Sequence, residues 1–172
     1  KTAVKDGVIT ARKCEVYWDT GAYAEIGPRV VHKSGYTSAG PYRMPNVSID
    51  CYCVYTNKPP AGAFRGFGVP QVVWAYDSQM DIIARAIGTD PVEFRLSHAL
   101  DEGEEFATGT PVRSFGLKPS IRQAAEAIEW SKPRPRQSGT RVRGKGIASG
   151  VKAVLTPSIS GAIVTMNADG SV

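Results

Sequence analysis

The chain has 172 residues, which is enough for one ordinary domain with its own hydrophobic core. Hydrophobic residues make up 42% of the sequence and charged residues 22%, a balance that excludes a wholly disordered chain. The 21 basic residues exceed the 16 acidic ones to give a net charge of +5, but they form no dense run, so no nucleic-acid partner is indicated. No apolar stretch is long enough to predict a membrane span.

The cysteines bear on the redox environment and on metal binding. Cys14, Cys51 and Cys53 are odd in number and lack the CxxC spacing of common zinc sites. This pattern favours free, reduced thiols and therefore predicts a cytoplasmic protein. We expect no metal site made of protein side chains.

The first predicted elements are the two strands of a hairpin. Residues 2–5 and 8–18 flank Asp6-Gly7, a pair typical of tight hairpin turns because glycine readily adopts positive φ. The second strand is expected to break at residues 19–22. Residues 23–45 carry several Gly-Pro pairs and are predicted to be loops with one short helix.

A third strand is predicted at residues 47–56. Its alternating pattern puts one apolar set of side chains on a single face, which we expect to be buried. That face consists of Val47, Ile49, Cys51, Cys53 and Tyr55.

Three helices are predicted after this strand. Apolar residues recur every three or four positions over 69–87, with Pro70 suited to the first turn and Gly88 to the position after the end. Residues 90–93 carry an N-terminal capping signal for a short helix that ends near residue 100. A third helix is predicted at 119–130.

A linker rich in proline and arginine, residues 131–140, divides the chain. Residues 1–130 hold the strands and helices described above. Residues 141–156 and 161–167 are predicted strands, which would open a following, incomplete subdomain over 141–172. The expected fold class is therefore α+β, with mixed sheets and packed helices.

The two ends of the sequence suggest an excerpt of a longer protein. The chain begins at Lys1 rather than at a methionine, and it closes just after a turn signal at Asp169-Gly170. A complete subunit with a trimmed terminus is the alternative interpretation.

Residues 63–71, AFRGFGVPQ, carry the strongest functional signal. Gly66 and Gly68 allow a sharp turn directly before the long predicted helix, whose first N–H groups lack intrahelical partners. The loop is a candidate site for an anion or a polarised oxygen, and the phenylalanines on either side of Arg65 suit a flat ligand. A turn without a ligand is the alternative, and the loop matches neither a P-loop nor a dinucleotide-binding fingerprint.

Residues 63–71 resemble the Ala-Phe-Arg-Gly-Phe-Gly-x-Pro-Gln segment of the molybdenum hydroxylases. This family includes xanthine dehydrogenase, aldehyde oxidoreductase and nicotinate dehydrogenase. Shorter agreements at residues 19–23, 45–46, 90–95 and 144–148 extend the resemblance over nearly the whole chain. It implies an internal fragment of the large molybdopterin-binding subunit, folded as part of its molybdopterin-binding domain.

The resemblance implies a molybdopterin-dependent oxidoreductase. Enzymes of this family hydroxylate an electron-poor carbon of a purine, an aldehyde or an N-heterocycle with oxygen from water. Their electrons leave through [2Fe–2S] clusters to FAD in partner domains or subunits. The expected partners are thus a small-molecule substrate, iron–sulfur and flavin modules and further copies in an oligomeric full enzyme, with no membrane.

The resemblance also implies roles for five residues of the loop. Ala63, Phe64, Arg65 and Gly66 are expected to bind the cofactor, and Phe67 the substrate. No catalytic residue is expected in this chain, because the family's glutamate base lies beyond its last residue. The fragment alone is therefore expected to be inactive.

Other residues depart from the family's pattern or attract no role. Lys33 stands where purine-oxidising members carry an arginine, and a lysine does not replace a bidentate guanidinium. The glutamates within residues 102–105 are predicted to form a solvated acidic turn, and His32 and His98 to be surface or packing residues.

Two further hypotheses remain open from the sequence. The chain is alternatively a non-catalytic structural or interaction module that retains the cofactor-loop motif. A third, weaker hypothesis is a small anion- or nucleotide-binding domain that uses the Gly66–Gly68 turn.

Overall fold

The structure, a computed structural model, describes residues 1–133, 139–140, 142–152 and 161–172. Its elements in chain order are β1 (Thr2–Lys5), β2 (Val8–Gly21), α1 (Gly27–Thr37), β3 (Val47–Tyr55), α2 (Val69–Ala86), α3 (Pro91–His98) and α4 (Leu117–Ala127). The sheet order is β1-β2-β3, with β1 antiparallel and β3 parallel to β2. A mixed sheet with packed helices confirms the predicted α+β class.

The β1–β2 hairpin turns at Asp6-Gly7 as predicted, with φ of 51° and 78°. The expected break of the second strand at residues 19–22 is wrong, because β2 continues to Gly21 with a register irregularity after Asp19. Nonlocal hydrogen bonds maintain the strand there. The carbonyl of Gly21 accepts from the N–H of Thr56 at 3.0 Å, which compensates for the turn-prone local sequence.

Helix α1 packs against the face of β3 that the alternating pattern predicts to be buried. The approach is close, since a Cβ on Gly35 of α1 would lie 2.5 Å from Sγ of Cys51. Four residues of this face are half-buried, namely Val47, Ile49, Cys51 and Cys53. Tyr55, predicted for the same face, is instead 63% exposed, because β3 ends at this residue. All three cysteines are unpaired and half-buried.

The helix signals of the sequence agree well with the structure. Helix α2 covers the predicted span to within one residue, with Pro70 in its first turn and Gly88 at φ +71° after its end. Helix α3 begins where Asp90 accepts hydrogen bonds from the first-turn N–H groups. Helix α4 starts two residues before its predicted start and ends three residues early. Among the described helices, none has both the length and the hydropathy needed to cross a membrane.

The core lies between the sheet and helices α2 and α3. It comprises Ile9, Ala39, Tyr42, Met44, Tyr76, Met80, Ala84 and Phe94. A buried charge network stands beside it, in which Nη2 of Arg95 lies 2.7 Å from Oδ2 of Asp77. Burial disfavours the guanidinium charge, but the Asp77 carboxylate outweighs this effect and raises the pKa of Arg95. The Tyr42 hydroxyl donates to the other oxygen of Asp77.

His98 is a packing residue, as expected from the sequence. It is buried at the end of α3, where Nε2 accepts from the N–H of Ile9 at 3.1 Å and Nδ1 lies 2.8 Å from the carbonyl oxygen of Phe94. Burial lowers the pKa of His98, although the Phe94 carbonyl opposes this shift. The neutral ring therefore links β2 to α3. His32, by contrast, is exposed on α1.

The strands predicted within 141–156 and 161–167 do not form in the described parts, residues 142–152 and 161–167. The chain near residue 150 lies on α2 instead. The N–H of Ser149 donates to Oδ2 of Asp77 at 3.0 Å, and Gly150 packs near Val73. The turn at Asp169-Gly170 does form. Part of the predicted linker (134–138), residue 141 and residues 153–160 lie outside the described residues.

Candidate functional site

A cleft of about 440 Å³ opens beside the predicted loop. The end of β2 supplies Trp18, Asp19 and Thr20 to its wall, and the first two turns of α1 supply Gly27 and residues 30–31. The opposite wall comes from the segment that precedes α2 and from the first residues of α2 itself. The cleft therefore lies where a strand end, a helix start and a glycine-rich loop meet.

The loop enters α2 through three consecutive residues with positive φ. The angles are +102° at Gly66, +57° at Phe67 and +84° at Gly68. A side chain on Gly66 would overlap the ring of Pro70, and a Cβ on Gly68 would lie 2.8 Å from the carbonyl oxygen of Val30 in α1. Residues 66–68, hereafter the glycine turn, thus need glycine at both ends for conformation and for space.

Hydrogen-bond donors concentrate at this turn. In the part of the chain that the structure describes, the backbone N–H groups of Arg65, Gly66 and Gly68 donate to no protein acceptor. The turn also leads directly into the N-terminus of α2, where the helix dipole is positive. On the cleft wall, the buried indole N–H of Trp18 likewise finds no acceptor among the described residues. These N–H donors beside the cleft favour a ligand that is rich in hydrogen-bond acceptors.

The five predicted site residues take different positions. Phe64, which is 88% exposed, and Arg65 line the cleft. Ala63 is exposed but does not contribute to the wall, and Gly66 and Phe67 are half-buried behind it. The structure thus brings Phe64 and Arg65 to the cleft, places Gly66 and Phe67 in the glycine turn, and leaves Ala63 exposed ahead of them.

Sequence reasoning assigned Asp19 no role in the site, since residues 19–22 were expected to break a strand and residues 19–23 served only as a shorter agreement with the family. Its Oδ1 accepts from the N–H of Gly21 at 2.9 Å and from the hydroxyl of Thr56 at 2.6 Å, and its Oδ2 lies 2.7 Å from Nζ of Lys58. Lys58, Thr56 and the Gly21 N–H, in that order, lower the pKa of Asp19 to about 2. The available signal was an acidic residue directly before Thr-Gly at the end of a predicted strand.

Lys33 lies apart from the cleft wall. It lines a second, smaller cavity of about 130 Å³ together with Tyr36 and Phe106. In the acidic turn, Oε1 of Glu104 lies 2.7 Å from Nε of Arg43, and this contact lowers the pKa of Glu104. The paired carboxylate agrees with a solvated structural turn.

The model of the molybdopterin cofactor-binding domain family matches residues 2–99, a span that includes the cleft, the glycine turn and helices α1 to α3. The chain belongs to this family, and within it to the molybdenum hydroxylases.

The relatives agree on this family. The chain is 44% identical over 129 residues to the nicotinate dehydrogenase large molybdopterin subunit of Eubacterium barkeri, a match over 74% of this chain and 30% of the relative. It is 36% identical over 176 residues to a putative xanthine dehydrogenase molybdenum-binding subunit of Escherichia coli (strain K12), over 98% of this chain and 23% of the relative. The solved aldehyde oxidoreductase from Desulfovibrio gigas superposes with a TM-score of 0.66 at 30% identity, over 75% of this chain and 14% of that one. The chain thus spans less than a third of each.

Proposed function

We propose that this chain forms part of the large subunit of a molybdenum hydroxylase that oxidises an electron-poor carbon of a purine, an aldehyde or an N-heterocycle with oxygen from water. The glycine turn together with the adjoining Arg65 is the observation that carries the proposal. The two combine N–H groups that lack a protein acceptor among the described residues, an exposed guanidinium and a helix N-terminus beside a cleft. The relatives are named for nicotinate, xanthine and aldehyde oxidation, which supports this range of substrates.

The residues of the turn fit a molybdopterin cofactor. Oxygen-rich groups are held well by backbone N–H donors. The absence of side chains at Gly66 and Gly68 lets the turn pack on the ring of Pro70 and on the backbone of α1, which fixes the position of those donors. When bound, the cofactor supplies the redox chemistry. The backbone at Ala63, Phe64, Arg65 and Gly66 would hold it, the Arg65 charge would favour its anionic parts, and Phe67 would orient the substrate ring.

Iron–sulfur clusters and FAD in partner domains or subunits complete the proposed electron path, and the full enzyme is proposed to be an oligomer. We place the full enzyme in the cytoplasm, because the three thiols of this chain are unpaired. A non-catalytic module that keeps the loop is the alternative. The two proposals differ in whether the longer protein that contains this chain carries molybdenum.

The 172-residue chain alone is expected to retain no molybdopterin and to be inactive. Its cleft presents one donor loop, whereas a cofactor of this size requires enclosure by several. Elemental analysis of the purified chain for molybdenum, with fluorescence of the oxidised pterin, checks this expectation. The longer subunit from the same cells is the control for cofactor supply, and stoichiometric molybdenum in the short chain would refute the prediction.

Phe67→Ala in the longer subunit is expected to reduce kcat/KM by about tenfold, since an aromatic contact contributes on the order of 1 kcal/mol. Molybdenum content should stay normal, because the proposed cofactor contacts are made by other residues. Steady-state kinetics with metal analysis on the same sample measures both. Tyr55→Ala, which removes an exposed aromatic ring away from the cleft, is the matched control. If the kinetics of the Phe67→Ala variant are unchanged, Phe67 is not part of the substrate site.

A further inference from the structure

The segment before the glycine turn lies along the end of β2. The N–H of Thr56 donates to the carbonyl of Gly21, and the N–H of Ala22 donates to the carbonyl of Lys58, both at 3.0 Å. The N–H of Ala61 donates to the carbonyl of Thr20, also at 3.0 Å. Backbone pairing thus continues for several residues beyond the end of β3 and delivers the chain to the cleft.

The two paired segments pack so closely that there is no room for a side chain at Gly21. Gly21 has φ +74°, and a side chain there would overlap the carbonyl of Pro59. At the other end of the loop, Gly68 rests on the backbone of α1. Residues 61–65 therefore run between two anchors, and all of them except Ala63 line the cleft. One anchor is the end of β2 and the other is α1.

Asp19 is the side chain that joins the first anchor to the loop. A single carboxylate accepts from the Gly21 N–H of its own strand and from Thr56 and Lys58 of the loop segment. Each of these contacts favours the ionised form, and the pKa of about 2 leaves Asp19 charged at neutral pH. By linkage, the contribution of Asp19 to stability is complete above the ordinary aspartate pKa of 3.8 and is lost as the pH falls through about 2.

We propose that Asp19 is a positioning residue, which holds residues 56–61 on the end of β2 and so fixes where the cofactor-binding loop enters the cleft. The role of that loop rests on the proposed function, whereas the placement by Asp19 is a property of this chain alone. Asp19 does not need to touch the cofactor. It acts through Thr56 and Lys58 on the backbone that carries Phe64 and Arg65.

The first test measures amide hydrogen exchange in the longer subunit without cofactor, comparing wild type with Asp19→Asn. The amide side chain keeps the size of aspartate but removes the charge that pairs with Lys58. Exchange at Ala22 and Ala61, whose N–H groups bond across the junction, is expected to be about tenfold faster. The N–H of Val112, which bonds to Glu104 elsewhere in the fold, should keep its wild-type rate.

Glu15→Gln is the matched control, because Glu15 lies on the same strand and also pairs with a lysine, at 3.0 Å from Lys13. It should leave exchange at Ala22 and Ala61 unchanged. Equal rates in wild type and Asp19→Asn, or equal acceleration in the two variants, would overturn the proposal. This readout needs no cofactor, so it stands or fails independently of the proposed activity.

The second test uses the cofactor-loaded subunit. Asp19→Asn is expected to lower kcat several-fold at unchanged molybdenum content, with little change in KM. Lys58→Met, which removes the same ion pair from the loop side and leaves the acceptor of the Gly21 N–H and the Thr56 hydroxyl in place, is expected to give a similar loss of kcat at unchanged molybdenum content. Faster exchange with wild-type kcat would show that the junction is held by Asp19 but does not position the site, and would also overturn the proposal.

Discussion

Asp77→Ala is expected to reduce the free energy of unfolding by about 3–5 kcal/mol, because it leaves a buried guanidinium without its principal carboxylate. Arg95 is 1% exposed and contacts Asp77 through two of its nitrogens. The Tyr42 hydroxyl and the Ser149 N–H lose their acceptor in the same substitution. Each buried donor left without a partner adds its own penalty. Urea denaturation followed by circular dichroism gives the measurement.

Asp81→Ala is the control for this prediction. Oδ1 of Asp81 lies 2.6 Å from Nη1 of Arg95, but the Asp81 side chain is partly open to solvent, and among the described residues its other partner is the exposed Arg85. Its removal should therefore cost clearly less than the removal of Asp77. If the two variants lose equal stability, the guanidinium is compensated by both carboxylates jointly and the central role of Asp77 is wrong.

The parts of the fold that the sequence predicts correctly depend on local chemistry. The Asp6-Gly7 turn, the Asp90 cap and the ends of α2 each follow from residues within a few positions of one another. The network around Asp77 does not. Asp77 lies on the apolar face of α2, between Tyr76 and Met80, and its partners are 18, 35 and 72 residues away. No local pattern encodes those contacts.

The same distinction applies to the site. Two glycines directly before a periodic helix are enough to predict the turn and its donors. The strand end that supports the turn is not predictable in this way, because Asp19 meets Thr56 and Lys58 only after β2 and β3 have paired in parallel. Likewise, the described part of the predicted strand around residue 150, residues 142–152, forms no ladder, and the N–H of Ser149 bonds to Asp77 on α2 instead. At the end of β2 and near residue 150, contacts between residues distant in the sequence override local propensity.

Gly68→Ala is expected to destabilise the fold by about 2–4 kcal/mol and to weaken cofactor retention in the longer subunit. An alanine there must adopt φ near +84°, and its methyl group would meet the carbonyl oxygen of Val30 at 2.8 Å. That oxygen belongs to the backbone of α1, so relief requires α1 or the start of α2 to move. Either movement displaces the donors of the glycine turn.

Gly88→Ala separates the two causes, because Gly88 has a similar φ of +71° but no atom within 4 Å of its added methyl group. Gly88→Ala should lower the free energy of unfolding only by the cost of backbone strain, about 1 kcal/mol. The additional loss of stability in Gly68→Ala relative to Gly88→Ala therefore measures the cost of the contact with α1. Thermal unfolding of both variants in one buffer gives this difference. If the two variants lose equal stability, the backbone of α1 at Val30 moves without cost. The close packing of the glycine turn on α1 would then have no part in holding the site. A larger loss at Gly68, together with reduced molybdenum content only in that variant, would connect the packing of α1 directly to the geometry of the cofactor-binding loop.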